Sequence, residues 1–424
     1  MRLLEEYTSI QYIQFSFIRE IEYYGKSLVG KPIGNQETQI NSNVSTSRAE
    51  EVIAPLTAPS ETVFICSDVY RKQAFGNNHP LSIKRVAGVM DLSRMLGWLD
   101  GDCYLESPRA SERTLRRFHH PDYIDALIRA DSTGSVEQDV RVKYRIGTME
   151  NPLFPGLYQR ASTAVGGSIL AAEQALLGKT AFHPSGGTHH GRPNRASGFC
   201  FFNDPVFAIL TLLDGGLDRI LYVDLDAHHG DGVQDAFADD ERVFTISVHE
   251  QKRWPYSGLV NDRAVTAARN LPVPRGFNDS ELEYLMEHAI LPLSRGFSPQ
   301  AVVLTCGTDA LDGDPLSRLK LSNLALWRAV ERLLELTGHN VVLGGGGYNP
   351  WTLIRCWTGL WGRLSGRVIP ECLPLAAQAY LQALECDLVD EEDIRADWLT
   401  TLADQPSPGP VRAEIKRCAD AVTA

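Results

Sequence analysis

The stretch LYVDLDAHHGDGV carries the residues best suited to chemistry, because Asp224, Asp226 and His228 follow an apolar run at intervals of two. Residues two apart on an extended chain point to the same side, so two carboxylates and an imidazole share one face. In open α/β sheets, ligands bind at the carboxyl ends of the strands. Tandem histidines between aspartates are not typical of an ordinary turn. The pattern therefore predicts a divalent metal bound by Asp226 and His228.

A third metal ligand is expected from another strand end, because a catalytic zinc ion takes about three protein ligands and keeps one position for water. Asp309, in VVLTCGTDALDGDPL, follows an apolar strand and is the best candidate. Asp312 and Asp314 lie deeper in the same loop. We interpret both as solvated turn residues.

Three further stretches carry functional candidates. His189 and His190 follow two glycines in HPSGGTHHGRP, and adjacent histidines beside a metal site suggest proton transfer. Four glycines precede Tyr348 in VVLGGGGYNPW, where they allow close approach of the backbone to a ligand; no Gly-Lys-Ser/Thr follows, which excludes a P-loop. In RASGFCFFND, Gly198 and the aromatic run either line a narrow apolar passage or pack as an ordinary loop.

Short apolar runs that alternate with helical stretches supply the elements that position these motifs. Continuous apolar strands are typical of a parallel sheet covered on both faces. The predicted strands are 62–66, 180–183, 219–226, 242–248, 301–306 and 340–345. Helices are predicted over 81–99, after the possible N-caps Asn203 and Asp204, and from Asn323 to a stop at Gly338. We predict an α/β fold, a single doubly wound domain with a mostly parallel central sheet flanked by helices.

Three segments are expected along the chain. Residues 1–60 contain a polar stretch rich in Ser, Thr and Asn, which predicts a partly disordered N-terminal extension. Residues 61–370 form the catalytic domain. Residues 371–424 contain helical patches and predict a helical tail packed on that domain.

Composition excludes several classes of protein. The net charge of −12 disfavours nucleic-acid binding and is compatible with a lysine-rich partner. No apolar run is long enough for a membrane span, and Glu5 and Glu6 interrupt any secretory signal, so a cytoplasmic protein is predicted. The eight cysteines form no Cys-x-x-Cys pair and are expected to be reduced and buried.

Taken in order, GGTHH, SGFCFFND, DLDAHHGDGV, CGTDAL and GGGGY resemble motifs of the histone deacetylase superfamily. The resemblance spans about residue 70 to the C-terminus and is strongest to bacterial class I-like members and acetoin-utilisation deacetylases. It implies the arginase/deacetylase fold. It also implies zinc-dependent removal of acetyl or other acyl groups from Nε-acyl-lysine in proteins or small molecules, with Fe²⁺ as the alternative metal.

The resemblance also implies a role for each matching residue. Zinc would be held by Asp226, His228 and Asp309. Proton transfer would fall to His189 and His190, with Asp224 and Asp231 as their carboxylate partners, and Tyr348 would donate a hydrogen bond to the substrate carbonyl. A structural K⁺ would be bound by Asp224, Asp226, His228, Ser247 and Val248. The substrate channel would be lined by Gly198, Phe199, Trp254, Leu316 and Glu150, and Arg85 would assist acetate release.

Some positions depart from the family pattern. Trp254 stands before Pro255 where a Phe is usual, which predicts a narrower passage. Glu150 falls where an Asp usually grips the substrate backbone. Ser82 and Pro315 replace a Lys and an Arg, which argues against an inositol-phosphate-dependent corepressor partner.

Three alternative functions are compatible with parts of this pattern. Arginase-like enzymes bind two manganese ions through Asp-x-His-x-Asp, but Gly230 occupies the last position here, which favours one metal. An acetylpolyamine amidohydrolase shares the same site residues and differs in its entrance loops, so an acetylated small amine remains an alternative to an acetylated peptide. A catalytically inactive acyl-lysine-binding module is disfavoured because every proposed ligand, both histidines and Tyr348 are present.

Overall fold

The computed structural model describes residues 61–424 except positions 73, 77–78 and 265–267, so the predicted extension over 1–60 lies outside the described residues. The described residues form one eight-stranded sheet in which all strand pairs are parallel. The strands are β1 (Thr62–Cys66), β2 (Tyr104–Glu106), β3 (Thr180–His183), β4 (Ile220–Asp224), β5 (Val243–Glu250), β6 (Ala268–Val273), β7 (Ala301–Thr305) and β8 (Asn340–Leu343).

The order of the strands explains why distant sequence motifs meet. The sheet runs β2-β1-β3-β8-β7-β4-β5-β6, so β3, β8, β7 and β4 are consecutive neighbours at its centre. Each of these four strands is followed by one of the motifs singled out in the sequence. Because parallel strands end at the same edge of a sheet, the four motifs lie side by side.

Helices cover both faces of the sheet. In β4, Leu221 and Val223 belong to one buried apolar cluster, while Ile220 and Tyr222 belong to another. This alternation follows from the two-residue period of a strand. The central strands are therefore buried on both sides, as in a doubly wound α/β domain, and the predicted fold class is confirmed.

The helices begin and end at defined residues. They are α1 (Val86–Met95), α2 (Glu112–Leu115), α3 (Pro121–Thr133), α4 (Gln138–Tyr144), α5 (Leu157–Leu176), α6 (Asp204–Asp214), α7 (Asp231–Ala236), α8 (Asp279–Leu285), α9 (Leu291–Phe297), α10 (Asn323–Leu334), α11 (Pro350–Leu364), α12 (Leu375–Gln382) and α13 (Ala413–Thr423). A π-helical segment, Met286–Ile290, joins α8 to α9. None of the described helices is long and apolar enough to cross a bilayer.

Two helices begin directly after site motifs, and an asparagine side chain caps the start of each. The side chain of Asn203 caps α6 by accepting a hydrogen bond from the Val206 N–H, and Pro205 lies in the first turn. Asn349 caps α11 in the same way, one residue after Tyr348, and accepts from the N–H of Trp351 at 3.0 Å. These caps fix where the preceding loops end.

The segment after residue 370 contacts the sheet and its helices through paired charges. Arg355 of α11 is fully buried and its Nη1 lies 2.7 Å from a carboxylate oxygen of Asp404. Arg412, just before α13, lies 2.6 Å from a carboxylate oxygen of the buried Glu281. Arg355 and Glu281 are the buried members of these pairs, and pairing offsets the cost of burying a charge, so both contacts hold the segment in place.

The element predictions have mixed outcomes. All six predicted strands are present, but the sequence did not predict β2 or β6. Strand β2 is only three residues long. Strand β6 contains Pro272, which is tolerated because β6 lies at the edge of the sheet. The helix predicted over 81–99 is shorter, Val86–Met95. The prediction that α10 ends at Gly338 is wrong, since it ends at Leu334.

Candidate active site

The predicted metal ligands converge at the carboxyl ends of β4 and β7. The Nδ1 atom of His228 lies 2.9 Å from a carboxylate oxygen of Asp309 and 3.3 Å from one of Asp226. One ligand atom of each residue lies within 4.8 Å of the others. Asp309 also accepts a hydrogen bond of 2.9 Å from the Ala227 N–H, which fixes its carboxylate against the loop after β4.

This donor set fits a small divalent cation. Tetrahedral ligands of one zinc ion, each about 2.0–2.2 Å from it, lie roughly 3.4 Å apart. The observed separations of 2.9 and 3.3 Å between donor atoms are close to that value. Two carboxylates and one imidazole also suit Zn²⁺ or Fe²⁺. The chain could therefore hold one such ion at Asp226, His228 and Asp309.

The glycine run after β8 approaches these carboxylates rather than a phosphate. The N–H of Gly346 donates to Asp226 at 2.6 Å, and a Cβ at position 346 would lie 2.1 Å from an Asp309 oxygen. Gly345 and Gly347 both have φ of +137°, a conformation that side chains rarely adopt. Glycine is required here because the backbone itself packs on the metal-ligand candidates.

The surroundings of Gly230 and His229 limit the number of metal ligands that the loop after β4 can provide. A Cβ at Gly230 would lie 2.2 Å from a carboxylate oxygen of Asp224, so this position has no room for a carboxylate side chain. The ring nitrogens of His229 face the Ser257 hydroxyl at 2.8 Å and the Gln234 side chain at 3.0 Å. His228 alone of the tandem pair joins the ligand cluster.

Each histidine of the GGTHH motif is paired with an aspartate. His189 Nδ1 lies 2.6 Å from an oxygen of Asp224, and His190 Nδ1 lies 2.7 Å from one of Asp231. The two imidazole rings are 3.9 Å apart, centre to centre. Because a carboxylate orients Nδ1 in both rings, Nε2 is the nitrogen available to a reacting group.

The two histidines have different electrostatic surroundings. Burial lowers the pKa of His189, but the charges of Asp224 and Asp226 outweigh it and raise that pKa to about 9. Burial lowers the pKa of His190 to about 3, helped by the neighbouring charge of His189 and opposed by Asp231. The pKa values of the two neighbouring rings are therefore shifted in opposite directions.

Asp204 supports the GGTHH loop, a role that the sequence did not reveal. Its carboxylate accepts hydrogen bonds from the N–H groups of Gly187 and Thr188, at 3.0 and 2.8 Å. From the sequence, Asp204 is predicted only as a possible helix N-cap, although it ends the SGFCFFND motif. The SGFCFFND motif therefore positions the loop that carries His189 and His190.

Asn203 and His119 extend this support. The amide of Asn203 donates to the carbonyl oxygens of His189 and Gly191, at 3.2 and 3.0 Å. The N–H of Asn203 in turn donates to Nε2 of the buried His119 at 3.2 Å, and His119 Nδ1 lies 3.0 Å from the Arg192 carbonyl. No sequence motif surrounds His119, so the sequence gives no signal of this role.

Tyr348 lines the same cavity as the histidines. Burial raises the pKa of its hydroxyl well above the ordinary value, so the hydroxyl stays protonated.

The interpretation of Asp314 as a solvated turn residue is wrong. Asp314 is buried and accepts hydrogen bonds from the N–H groups of Tyr348 at 2.7 Å and Leu316 at 2.9 Å. Burial and the nearby charge of Asp309 raise the pKa of Asp314 to about 7.

Two aromatic side chains, Phe199 and Trp254, lie beside the site residues Tyr348 and His190. Phe199 lies 5.9 Å from Tyr348, and Trp254 lies 4.6 Å from His190, measured between ring centres. Gly198 has φ of +54°, and a Cβ there would lie 2.4 Å from the Trp254 ring. Of the two open interpretations of RASGFCFFND, the lining of a passage is the one that the structure supports.

The remaining predicted channel residues have other contacts. Glu150 accepts a hydrogen bond from the Gly198 N–H at 3.0 Å, so its carboxylate supports the wall of the passage. Leu316 is half-buried, and its backbone N–H donates a hydrogen bond to the carboxylate of Asp314. Its channel role stays a prediction.

The predicted K⁺ ligands lie close together on adjacent strands. Asp224 at the end of β4 is in register with Ser247 of β5, and Val248 follows it. The Ser247 hydroxyl lies 2.9 Å from His249 Nδ1, and Asp224 accepts from the Asp226 N–H at 3.1 Å. The arrangement leaves the K⁺ assignment a prediction.

A cavity of about 690 Å³ reaches the site, and Asp226, His228, His189, His190 and Tyr348 are among its lining residues. Arg85 also lines this cavity and donates a hydrogen bond to the carbonyl oxygen of Gly345. Its guanidinium carbon lies 5.4 Å from the centre of the Trp357 ring. Arg85 therefore contacts the glycine run that follows β8, and its role in acetate release stays a prediction.

The parallel sheet and the residues that meet at its central edge define the class: a doubly wound α/β protein with a candidate hydrolytic site. The histone deacetylase domain matches residues 79–364. Histone deacetylase 8 of Xenopus tropicalis is 32% identical over 334 residues, 77% of this chain and 88% of that protein. Acetoin utilization protein AcuC of Bacillus subtilis (strain 168) is 33% identical over 322 residues, 72% and 82% of the respective chains.

Two solved structures also match this chain. An HDAC homolog from Aquifex aeolicus superposes with a TM-score of 0.83 at 37% identity, and covers 86% of this chain and all of its own. An HDAC homolog complexed with SAHA gives a TM-score of 0.82 at 37% identity, with the same coverage of 86% and 100%. The chain belongs to the histone deacetylase family, is similar to AcuC, and is a hydrolase.

Proposed function

We propose that this protein is a metal-dependent amidohydrolase that removes acetyl or other acyl groups from Nε-acyl-lysine in proteins or small molecules, with acetylated polyamines as the alternative substrates. One observation carries the proposal. Asp226 and His228 of the three-ligand cluster with Asp309 line the same cavity as the histidines of two histidine–aspartate pairs and a protonated tyrosine.

Zn²⁺, with Fe²⁺ as the alternative, is the proposed ion at Asp226, His228 and Asp309. When bound, such an ion polarises the substrate carbonyl and lowers the pKa of a coordinated water. The rest of the chemistry falls to side chains. Three protein ligands leave room for water and substrate, as catalytic sites require.

His189 and His190 are the proposed proton-transfer residues. A neutral imidazole accepts a proton from the attacking water, and a protonated imidazole delivers one to the leaving amine nitrogen. Asp224 and Asp231 act as positioning residues because each holds the Nδ1 side of one ring, at 2.6 and 2.7 Å. This leaves both Nε2 atoms directed at the reacting groups.

Tyr348 donates a hydrogen bond to the oxygen that gains negative charge as the water adds to the acyl carbon. It can do so because burial keeps its hydroxyl protonated. Phe199 and Trp254 provide apolar walls for the stem of an acylated lysine, which carries no charge. Glu150 and Leu316 are proposed to shape the rim, Arg85 to assist the departure of acetate, and Asp224, Asp226, His228, Ser247 and Val248 to bind K⁺.

The test is release of acetate by purified protein loaded with zinc or with ferrous iron. We expect hydrolysis of an acetyl-lysine peptide, its loss after chelation, its return on adding either metal, and inhibition by SAHA, the compound bound by a solved relative. Acetylated polyamines, assayed in parallel, identify the preferred amine. Absence of turnover on every acetylated substrate with both metals would contradict the proposal.

A further inference from the structure

The cavity that Asp226 and His228 line is also lined by a second arginine, Arg160 of α5. Arg160 lines the same cavity as Arg85, and Tyr70 and Ser185 line it too. The guanidinium of Arg160 lies 4.8 Å from the centre of the Tyr70 ring, and its Nη1 donates to the Val69 carbonyl at 3.4 Å. None of the roles proposed above uses Arg160.

These two arginines lack the carboxylate partners that other enclosed arginines have. Arg355 and Arg363 are paired with Asp404 and Glu331. For Arg85 and Arg160, by contrast, no carboxylate of the described residues lies within ion-pair distance. Burial lowers the pKa of both guanidinium groups, a sign that both are withdrawn from water.

Two polar atoms at this end of the cavity have no hydrogen-bond partner among the described residues: the Tyr70 hydroxyl and Nε of Arg85. Buried polar groups are almost always bonded, so such donors indicate a missing acceptor. Two positive charges and a hydroxyl without a partner that line one cavity would be stabilised by an anion. A carboxylate suits them best, since guanidinium groups bind it through two parallel hydrogen bonds.

We propose that Arg160, with Arg85 and Tyr70, binds the terminal carboxylate of a longer acyl chain, so that the enzyme also removes acidic acyl groups such as succinyl from lysine. This inference rests on the proposed function and adds an acyl-group preference to it. Water adds its oxygen to the acyl carbon that is bonded to the lysine nitrogen. The C–N bond then breaks, one proton passes to that nitrogen, and a free dicarboxylate and an unmodified lysine result.

The cavity favours an acidic acyl chain over a neutral chain of equal length. A butyryl group would bring an apolar methyl group to both guanidinium charges and leave them without a partner. Sites that are built to bond a polar group discriminate strongly against analogues that lack it, because their own groups are left unpaired. We therefore expect succinyl-lysine to be a better substrate than butyryl-lysine, although the two acyl groups have the same number of carbons.

The experiment compares one peptide carrying acetyl-, butyryl- or succinyl-lysine, assayed with the metal-loaded full chain. We expect kcat/KM for succinyl to exceed that for butyryl at least tenfold. In Arg160→Met the ratio of succinyl to acetyl kcat/KM should fall at least tenfold, and Arg160→Lys should recover part of it. The matched control is Arg109→Met, since Arg109 lies over the Tyr158 ring at 4.6 Å but does not line the cavity.

Binding of free succinate provides a readout that does not depend on turnover. Calorimetry should show that Arg160→Met weakens succinate binding at least fivefold, whereas Arg109→Met leaves it unchanged. Thermal melting of each variant establishes that it is folded, and Arg160→Lys tests the charge if Arg160→Met is unstable.

The outcomes separate two failures. Hydrolysis of acetyl-lysine without hydrolysis of succinyl-lysine, or a succinyl-to-acetyl ratio that Arg160→Met does not change, would overturn this inference alone. Binding of free succinate without hydrolysis of succinyl-lysine would assign the site to a free dicarboxylate and would also overturn it. Lack of turnover on all three peptides would instead contradict the proposed function.

Discussion

The carboxylate of Asp314 accepts a hydrogen bond of 2.7 Å from the backbone N–H of Tyr348, and this contact joins the loop after β7 to the loop after β8. Asp314 also accepts from the Leu316 N–H at 2.9 Å. One buried side chain thus sets the position of the tyrosine that is proposed to stabilise the reacting oxygen.

We expect Asp314→Asn to lower kcat about tenfold or more, because an amide cannot accept from both N–H groups in the same way and Tyr348 would shift. Steady-state kinetics measure the effect, and metal analysis should show unchanged metal content. Asp312→Asn is the control, since Asp312 pairs with Arg395 at 3.1 Å outside this network. Equal kcat in both variants would contradict a positioning role for Asp314.

The division between metal ligands and proton-transfer residues makes a second prediction. His190→Ala and Tyr348→Phe should each lower kcat/KM by about 100-fold or more while the protein keeps its metal. Asp309→Ala should lose both activity and metal. Elemental analysis alongside kinetics decides the matter: metal loss in His190→Ala or Tyr348→Phe would show that the roles are wrongly assigned.

Gly198 should tolerate no side chain. Its φ of +54° is unfavourable for alanine by about 1–2 kcal/mol, and an added Cβ would lie 2.4 Å from Trp254 and 2.6 Å from His190. We expect Gly198→Ala to lower kcat/KM about tenfold or more, since the crowded ring is the one proposed to move a proton.

Gly134→Ala separates backbone strain from crowding, because Gly134 has φ of +66° with nothing within 4 Å of an added Cβ. This variant should lose about 1–2 kcal/mol of unfolding free energy and no activity. Equal kcat/KM in the two alanine variants would contradict the crowding argument. Chemical denaturation and kinetics provide both measurements.

His119 should make stability sensitive to acid. Burial lowers its pKa to about 3, below the value of about 6.5 expected in the unfolded chain. Its neutral form therefore contributes stability that is fully present above pH 6.5 and is lost as the pH falls towards 3. Between pH 7.5 and 5 this amounts to about 2 kcal/mol of unfolding free energy.

Denaturation of the wild type and of His119→Gln at pH 7.5 and 5 tests this prediction. A glutamine can still accept from the Asn203 N–H but does not gain a proton, so the variant should lose about 2 kcal/mol less than the wild type over this range. The same loss in both proteins would show that His119 does not make the folded state acid-sensitive.

The sequence by itself determined the fold class and brought the main candidates into view. Asp226, His228 and Asp309 could be found because each follows an apolar strand, and the period of a strand places alternate residues on one face. His189, His190 and Tyr348 could be found because they follow glycine runs, which allow the backbone to approach a ligand closely. These are local signals, carried by residue type and spacing.

Only the tertiary structure decided which residues support that site. Asp204, Asp314 and His119 act through hydrogen bonds to residues 17, 34 and 84 positions away, and no local pattern encodes such distances. Asp314 shows the reason most clearly. An aspartate in a Gly-rich loop has the same sequence signature whether water or a buried N–H group faces its carboxylate, and only the packing of β7 beside β8 determines which it meets.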